Sequence, residues 1–569
     1  MSEQRNLIIA LILSALVLFG WSLVSDRVLP TATKPTTQVV KGKSVPLPDP
    51  NASPTGSAPA VVRARAVVLA ESPRVAIATP RLAGTLNLKG ARIDDLVMSD
   101  YKETLAKNSL PVRLFSPSGA GEAYFAQFGW TGQNVRVPDA NTLWTASAPK
   151  LTPETPVTLS WDNGQGQRFE LMFAVDRDFL FTVTQRVVNA GAGAVAVTPF
   201  SLVNRTGISK DPSGWTIHTG PIGTFDGVTN YKVDFKDLTA GEAPRFTSTG
   251  GWIGFTDKYW LAALSPPAAA KWDGGFRGSA GDRFQADAAY PTQVVQPRTA
   301  TTTQVRLFAG AKEVKLLRRY QNEAGVTRFD GAIDWGWFEI LEKPIFFLLD
   351  WLFRMVGNFG VAIMLLTIVV RGVMFPIAQK QFRSMAGMRI IQPKMKALQE
   401  RYKDDKPKLQ QEMLKLYQEA KVNPIAGCLP TLLQIPIFYA LYKVLLVTIE
   451  MRHQPFVGWI HDLSAPDPAT ILNGFGYLNF AVPHFFAIGV LPVFLGISMW
   501  LQFKLNPTPM DDTQKQIFAI MPWMMMFIMG TYAAGLVLYW TMSNVLTILQ
   551  QKWLYSRMPQ LSTAEATTP

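Results

Sequence analysis

Between Lys515 and Lys552 the chain runs for 36 positions, Gln516 to Gln551, without one charged side chain or histidine. A helical crossing of a bilayer takes roughly 20 apolar residues, so this stretch fits two short spanning helices joined by a tight turn at Gly530 to Gly535. Other runs repeat the pattern. Leu7 to Val24 is uncharged over 18 residues, Met355 to Gln379 holds a single charge, Arg371, in 25, and Val422 to Tyr442 is uncharged over 21. Pro483 to Phe503 carries nothing beyond His484. The first run exceeds the usual apolar length of a cleaved signal, roughly 7 to 15 residues, and no Ala-x-Ala site follows it, so it is expected to stay as an anchor. The count is six spans, one N-terminal anchor plus a five-helix core.

Composition narrows the classes further. With 17% charged and 48% hydrophobic residues, wholesale disorder is excluded. The single cysteine, Cys428, cannot form an internal disulfide, a thiolate metal site or a C-x-x-C pair. The residues call for no cofactor and no metal. A net charge of +13 would raise nucleic acid as a partner, but the charges are placed as a membrane topology demands. Lys380 to Lys421 holds eleven Lys or Arg against five acids, which predicts a cytoplasmic loop. By parity the long segment before Met355 lies outside, Glu450 to Pro483 lies outside, and Lys504 to Lys515 and both termini lie in the cytoplasm.

Residues 1–25 are thus the anchor, and residues 26–62, with seven prolines between Pro30 and Pro59, a flexible tether. From 63 to 330 the pattern becomes strand-like. Phe181, Val183 and Val187 alternate with Thr182, Thr184 and Arg186, and the Asp162-Asn163-Gly164 turn predicts a hairpin between 157–161 and 167–175. The prediction is a large antiparallel β-sandwich. Its one histidine is His218, and it contains no metalloprotease, nucleophile-elbow or phosphate-loop motif. Asp94, Asp95, Asp176 and Asp178 could pair as acid and base, or be turn and solvated-face residues.

Residues 335–354 mix Phe338, Ile340, Leu341, Phe346, Phe347, Leu348 and Trp351 with Glu339, Glu342, Lys343 and Asp350, as an amphipathic helix lying in the outer interface does; a core helix of the external domain is the alternative. Within the basic loop, Phe382, Met385, Met388, Ile391, Met395, Leu398 and Tyr402 recur at helical spacing, as do Leu409, Met413, Leu416 and Ala420. Asp404-Asp405-Lys406-Pro407 separates them, so 380–421 is predicted as a helical hairpin, with Pro393 kinking its first arm. Its basic side chains, Arg389, Lys394, Arg401 and Lys403 among them, either keep the loop soluble or meet RNA, lipid headgroups or an acidic partner.

Arg371 is the outlier. An arginine at membrane depth costs roughly 2.5 to 3.5 kcal/mol on insertion scales unless it faces a partner or water. Snorkelling to the headgroups is one outcome. The other is a wet pocket, for which Thr367 one turn earlier and Gln434, Ser498, Gln502, Ser543 and Asn544 on other spans are candidate neighbours. No Asp or Glu falls within a span, which speaks against an ion-coupled transporter. Met521, Met524, Met525, Met526 and Met529 add an adaptable apolar surface or plain lipid-facing filler.

Four blocks, IVVRGVMFPIAQKQFRSMAGMRIIQPKMKALQERY, QEMLKLYQEAKVNPIAGCLPTLLQIPIFYALY, FVGWIHDLSAPDP and GLVLYWTMSNVLTILQQ, cover most of residues 365 to 551 and resemble the YidC/Oxa/Alb family of membrane-protein insertases. In the external part, GGWIGFTDKYWLAAL resembles the end of that family's periplasmic domain. The resemblance implies a multi-pass inner-membrane protein that is not an enzyme: a five-helix core (355–551) around a groove open to cytoplasm and lipid, a periplasmic β-supersandwich like that of sugar mutarotases, and a cytoplasmic hairpin. It assigns the groove arginine to Arg371, the threonine to Thr367 and the glutamine to Gln434. It assigns an aromatic pair to Tyr539 and Trp540, tryptophan standing where tyrosine is common, and with Asn544 these complete the expected groove. An apolar slide would use Ile435, Phe438, Met521 and Met525. Implied partners are nascent membrane proteins, the lipid bilayer, the Sec translocon and, through the hairpin and Lys504 to Lys515, the ribosome; a monomer is expected. The tail 552–569 lacks the strongly basic extension of some relatives. The rivals, a secondary transporter and a membrane-tethered periplasmic sugar-modifying protein, would need a buried carboxylate or a His/Glu constellation.

Overall fold

The computed structural model describes residues 62–211, 216–267, 269–403, 405–420, 429–470, 472–475, 488–505 and 512–557. The expected anchor, the tether up to residue 61, residues 422–428 of the third span and 483–487 of the fourth, the tail beyond Arg557 and the side chain of Arg389 lie outside them. The chain divides into two compact units at Ala332 and Ile333.

The first unit is a sandwich of an eleven-stranded and a nine-stranded sheet among the described residues, almost entirely antiparallel. The long strand Val195–Thr206 lies in the middle of the larger sheet, between Tyr124–Gln133 and Arg283–Ala289. Thr299–Ala311 holds the same place in the smaller one, between Trp260–Ser265 and Leu180–Asn189. The predicted hairpin is present: Val157–Asp162 pairs with Gln167–Val175, and Gly164 and Gly166 take left-handed φ values of 74° and 92° at the turn. Alternation sends one face of each strand inward, where Phe128 meets Phe173 and Trp130 meets Phe169 across the sheets, edge to face at 5.9 and 5.2 Å. Gln185 is a polar residue on that face. It is buried with Val183 and Val187, and its amide donates to the Gly129 carbonyl at 2.8 Å, which satisfies a donor that would otherwise cost about 1–3 kcal/mol.

The second unit contains seven α-helices among the described residues, numbered here α1 Glu339–Val356, α2 Phe359–Arg401, α3 Lys406–Glu419, α4 Leu429–Val447, α5 Val490–Leu505, α6 Asp512–Met529 and α7 Ala534–Ser556. Gly357, at φ 69°, ends α1. Asn358 then caps α2, its side chain accepting from Val361 N at 3.1 Å. At 43 residues, α2 is about 65 Å long by its 1.5 Å rise, twice the hydrocarbon thickness. It runs unbroken from the apolar segment Phe359–Phe382, the one described helix long and apolar enough to cross a membrane, into the first arm of the hairpin. The break falls where the sequence places it: Asp405 caps α3, accepting from Lys408 N at 3.1 Å, with proline in its first turn. The turn between α6 and α7 also falls where expected, after Met529 and before Ala534, held by Ala534 N to Ala465 O at 2.8 Å and Gly535 N to Leu463 O at 2.9 Å.

Three features of the helices go beyond the sequence pattern. The uncharged run ending at Tyr442 does not end its helix, because α4 continues to Val447 with Lys443 buried inside it and paired to Asp334 at 3.3 Å. On α1, Ile340, Leu341, Trp351, Arg354 and Met355 are among the exposed side chains, while Glu342 and Asp350 are buried. Finally, α7 carries on past Gln551 through Lys552 to Ser556, since a helix that has left an apolar layer can continue on polar residues of good propensity.

Candidate functional site

α7 packs on both α2 and α5, and the polar side chains singled out in the sequence gather along these faces. Arg371, on α2, donates from Nε to the Ser543 hydroxyl of α7 at 3.1 Å, and a terminal guanidinium nitrogen donates to the same oxygen. Among the described residues no carboxylate pairs with it. The Tyr539 hydroxyl, about one turn along α7 toward its start, lies within electrostatic reach of the guanidinium and accepts from Gln434 Nε2 of α4 at 2.7 Å. Arg371, Ser543, Tyr539 and Gln434 therefore form one neighbourhood built from three helices. The side-chain oxygen of Gln434, Oε1, is buried there without a hydrogen-bond partner among the described residues.

Thr367 and Asn544 behave differently. Thr367 is fully buried and its hydroxyl donates back to the Ile363 carbonyl of its own helix at 2.7 Å. Asn544 is buried too, donating to Ser498 Oγ of α5 at 3.0 Å, while Ser498 donates to Leu495 O at 2.8 Å. Further along, Gln551 donates to the Leu505 carbonyl at 2.9 Å. Spacing alone showed Asn544 and Gln551 as polar residues in a span; it could not show that they tie α7 to α5.

The apolar residues separate in the same way. Trp540 packs edge-on against Phe438 at 4.8 Å, and Ile435 beside it is 58% exposed. On α6 the outward strip is Ile520, Trp523, Met524, Phe527 and Ile528, whereas Met521 and Met525 are half-buried. The most exposed strip thus lies one position, about 100° around the helix, from the line of Met521 and Met525. In the hairpin Lys394, Arg401 and Lys403 are exposed.

The sandwich carboxylates are engaged in structural pairs. Asp94 pairs with Arg74, Asp95 with Arg65, and Asp178 with both Arg81 and Arg319. Burial opposes ionisation of Asp178, but hydrogen bonds from Arg319 and Arg81 hold it below the ordinary carboxylate range. Asp176 accepts from the Tyr320 hydroxyl at 2.5 Å, and His218 is buried with Nε2 against the Pro221 carbonyl at 2.8 Å. No group of three or more metal-ligating side chains occurs among the described residues.

A long apolar helix continuing into a basic hairpin, preceded in the chain by a β-sandwich unit, is compatible with a membrane protein that carries a folded domain outside the bilayer, and the relatives make this specific. A model of the 60Kd inner membrane protein family matches residues 351–561, and one of the YidC periplasmic domain matches residues 74–348. The membrane protein insertase YidC of Zymomonas mobilis is 50% identical over 558 residues, covering 98% of this chain and 96% of the relative. That of Beijerinckia indica is 44% identical over 583 residues, with 98% and 96% covered. The chain belongs to the YidC family of membrane protein insertases, and its β-sandwich is that family's periplasmic domain. Among solved structures, an active YidC insertase with its first transmembrane domain resolved covers 87% of this chain and 94% of its own at 18% identity and TM-score 0.36. A galactose mutarotase related enzyme from Lactobacillus acidophilus covers 42% and 97% at 9% identity and TM-score 0.28. At these scores the two likenesses fix no feature of the chain.

Proposed function

We propose that this inner-membrane insertase receives the hydrophilic, often acidic, outer tail of a nascent membrane protein at Arg371 and passes its apolar segment along α4 and α6 into lipid, without nucleotide hydrolysis. The carrying observation is that Arg371 rests on a neutral hydroxyl, Ser543, with no carboxylate partner among the described residues. A guanidinium held this way keeps its full charge available to an incoming anion. At 4 Å a carboxylate would be attracted by about 4 kcal/mol at an effective dielectric of 20, against about 1 kcal/mol in water. Gln434, Tyr539 and Asn544 line or brace the same polar path. Ile435, Phe438 and the outward strip of α6 form the apolar exit. Burial of the departing segment, at about 0.8 kcal/mol per methylene, drives the final step. Arg371 attracts and does no covalent work.

The topology we propose has six spans, with the anchor and the five-helix core threaded so that the sandwich faces the periplasm and both termini, the α2–α3 hairpin and the α5–α6 loop face the cytoplasm. The charge bias of 380–421 supports this. On that reading α1 lies in the outer interface and the hairpin, through Arg389, Lys394, Arg401 and Lys403, meets the ribosome, while the Sec translocon is a partner for longer substrates.

Reconstitution into liposomes with a short single-span substrate tests the reading. Arg371→Lys is expected to retain part of the insertion rate and Arg371→Glu to fail for acidic tails; equal insertion by wild type and both variants would remove the electrostatic step.

A further inference from the structure

The outer end of the helical unit holds a charged cluster that the groove does not use. Glu342 of α1 is 0% exposed, and neither of its carboxyl oxygens has a hydrogen-bond partner among the described residues. Facing it from α4 is Lys443, 1% exposed, whose ammonium pairs with Asp334 at 3.3 Å. Asp334 lies just before α1, and Gly336, at φ 69°, turns the chain over the lysine so closely that a Cβ there would stand 3.5 Å from its side chain. Among the described residues, Glu339 and Lys343, paired with each other on α1, and Tyr439 of α4 are further titratable groups near Glu342. Two carboxyl groups therefore share one buried ammonium.

An unsolvated carboxylate with no hydrogen bond is unfavourable, whereas a protonated one leaves the cluster neutral: Asp334 negative, Lys443 positive, Glu342 uncharged. We propose that Glu342 is a proton-operated latch: protonated, it lets α1 stay docked on α4; on losing its proton it competes with Asp334 for Lys443 and loosens α1. Burial pushes the Glu342 carboxyl up to about 8, with Lys443 pulling it down and Asp334 and Glu339 pushing it further up. α1 is the segment through which the chain passes from the β unit into α2, so the latch acts at the entrance to the core. It stands independently of the groove.

The direction with pH follows from linkage. Below pH 4.5, the ordinary glutamate value, docked and undocked α1 both hold the proton. Between 4.5 and 8 the undocked side chain releases it and the docked one keeps it, so docking takes up a proton and weakens as pH rises, levelling off above 8. The experiment is hydrogen exchange of the α1 amides in the full chain in lipid nanodiscs from pH 5 to 9, with the intrinsic pH dependence of exchange divided out. Wild type is expected to open at least about ten-fold more at pH 9 than at pH 5, and Glu342→Gln to change by less than about two-fold. Asp334→Asn, which removes the carboxylate that pushes Glu342 up and competes with it for Lys443, should shift the transition to lower pH. Flat wild-type protection, or the same pH dependence in Glu342→Gln, overturns the latch; an unmoved transition in Asp334→Asn overturns the competition for Lys443. Where a variant folds poorly, infrared difference spectra of wild type decide: a protonated-carboxyl band present at pH 6 and gone at pH 10 supports the latch, and its absence at pH 6 overturns it.

Discussion

Removing the Ser543 hydroxyl isolates what it does for Arg371. In Ser543→Ala the guanidinium loses the acceptor of both its Nε and a terminal N–H. Hydrogen bonds from charged donors contribute about 1.5–3 kcal/mol, and because Arg371 is partly exposed, solvent returns some of this. About 1 kcal/mol is left as the cost of holding the cation in place by other means, which corresponds to a roughly five-fold slower capture of an anionic tail. The assay is the initial rate of protease-protected insertion in liposomes for two substrates differing only in tail charge, acidic and neutral. The acidic tail should slow about five-fold and the neutral tail by less than about two-fold, with Ser543→Thr close to wild type. Equal losses for both tails would show a merely structural hydroxyl. A faster acidic tail would show that Ser543 occupies the guanidinium in competition with substrate, and either outcome refutes the positioning role.

Other consequences are as direct. Deleting residues 63–330 should leave single-span insertion within about three-fold of wild type, read in the same liposomes; complete loss would favour an activity housed in the sandwich. Asp467 is buried and accepts from Trp459 Nε1 at 3.0 Å, Ala469 N at 3.0 Å and Leu491 N at 2.7 Å, so Asp467→Ala leaves the buried Ala469 and Leu491 amides unpaired at about 1–3 kcal/mol each, and a clear fall in the thermal midpoint of the purified protein is expected. Gly254→Ala would put a Cβ 1.9 Å from the Ala262 carbonyl oxygen, which overpacking prices at about 1–3 kcal/mol or more; calorimetry should show the sandwich transition moved down with insertion retained.

What could be read in advance was whatever depends on local pattern. The 36-residue uncharged run held two helices because Gly530 and the residues after it cannot continue one, and the hairpin broke at Asp405 because aspartate and proline both favour a helix start. The strand pair around Asn163-Gly164 was equally plain. What escaped depends on partners far away in sequence. Lys443 looked like the polar end of a span, yet Asp334, more than a hundred residues earlier, lets it be buried. Glu342 looked like one more charge on an amphipathic helix, and only the packing of α1 on α4 shows it enclosed. Periodicity likewise marked α6 as methionine-rich without telling which rotation faces out, so Met524 is exposed where Met521 and Met525 are half-buried. The Arg371 neighbourhood was legible as residue types. Its order was not: Ser543 is the direct partner, Tyr539 and Gln434 bond each other, and Thr367 bonds its own helix.

The charge of Arg371 is tested most directly by a swap: insertion rates of acidic-tailed and basic-tailed versions of one substrate, measured with wild type and with Arg371→Glu. Wild type should favour the acidic tail and the variant the basic one, the preference reversing by about ten-fold or more in total, since two interactions of about 1 kcal/mol or more change sign together. A preference that stays the same in both proteins would contradict the role given to Arg371.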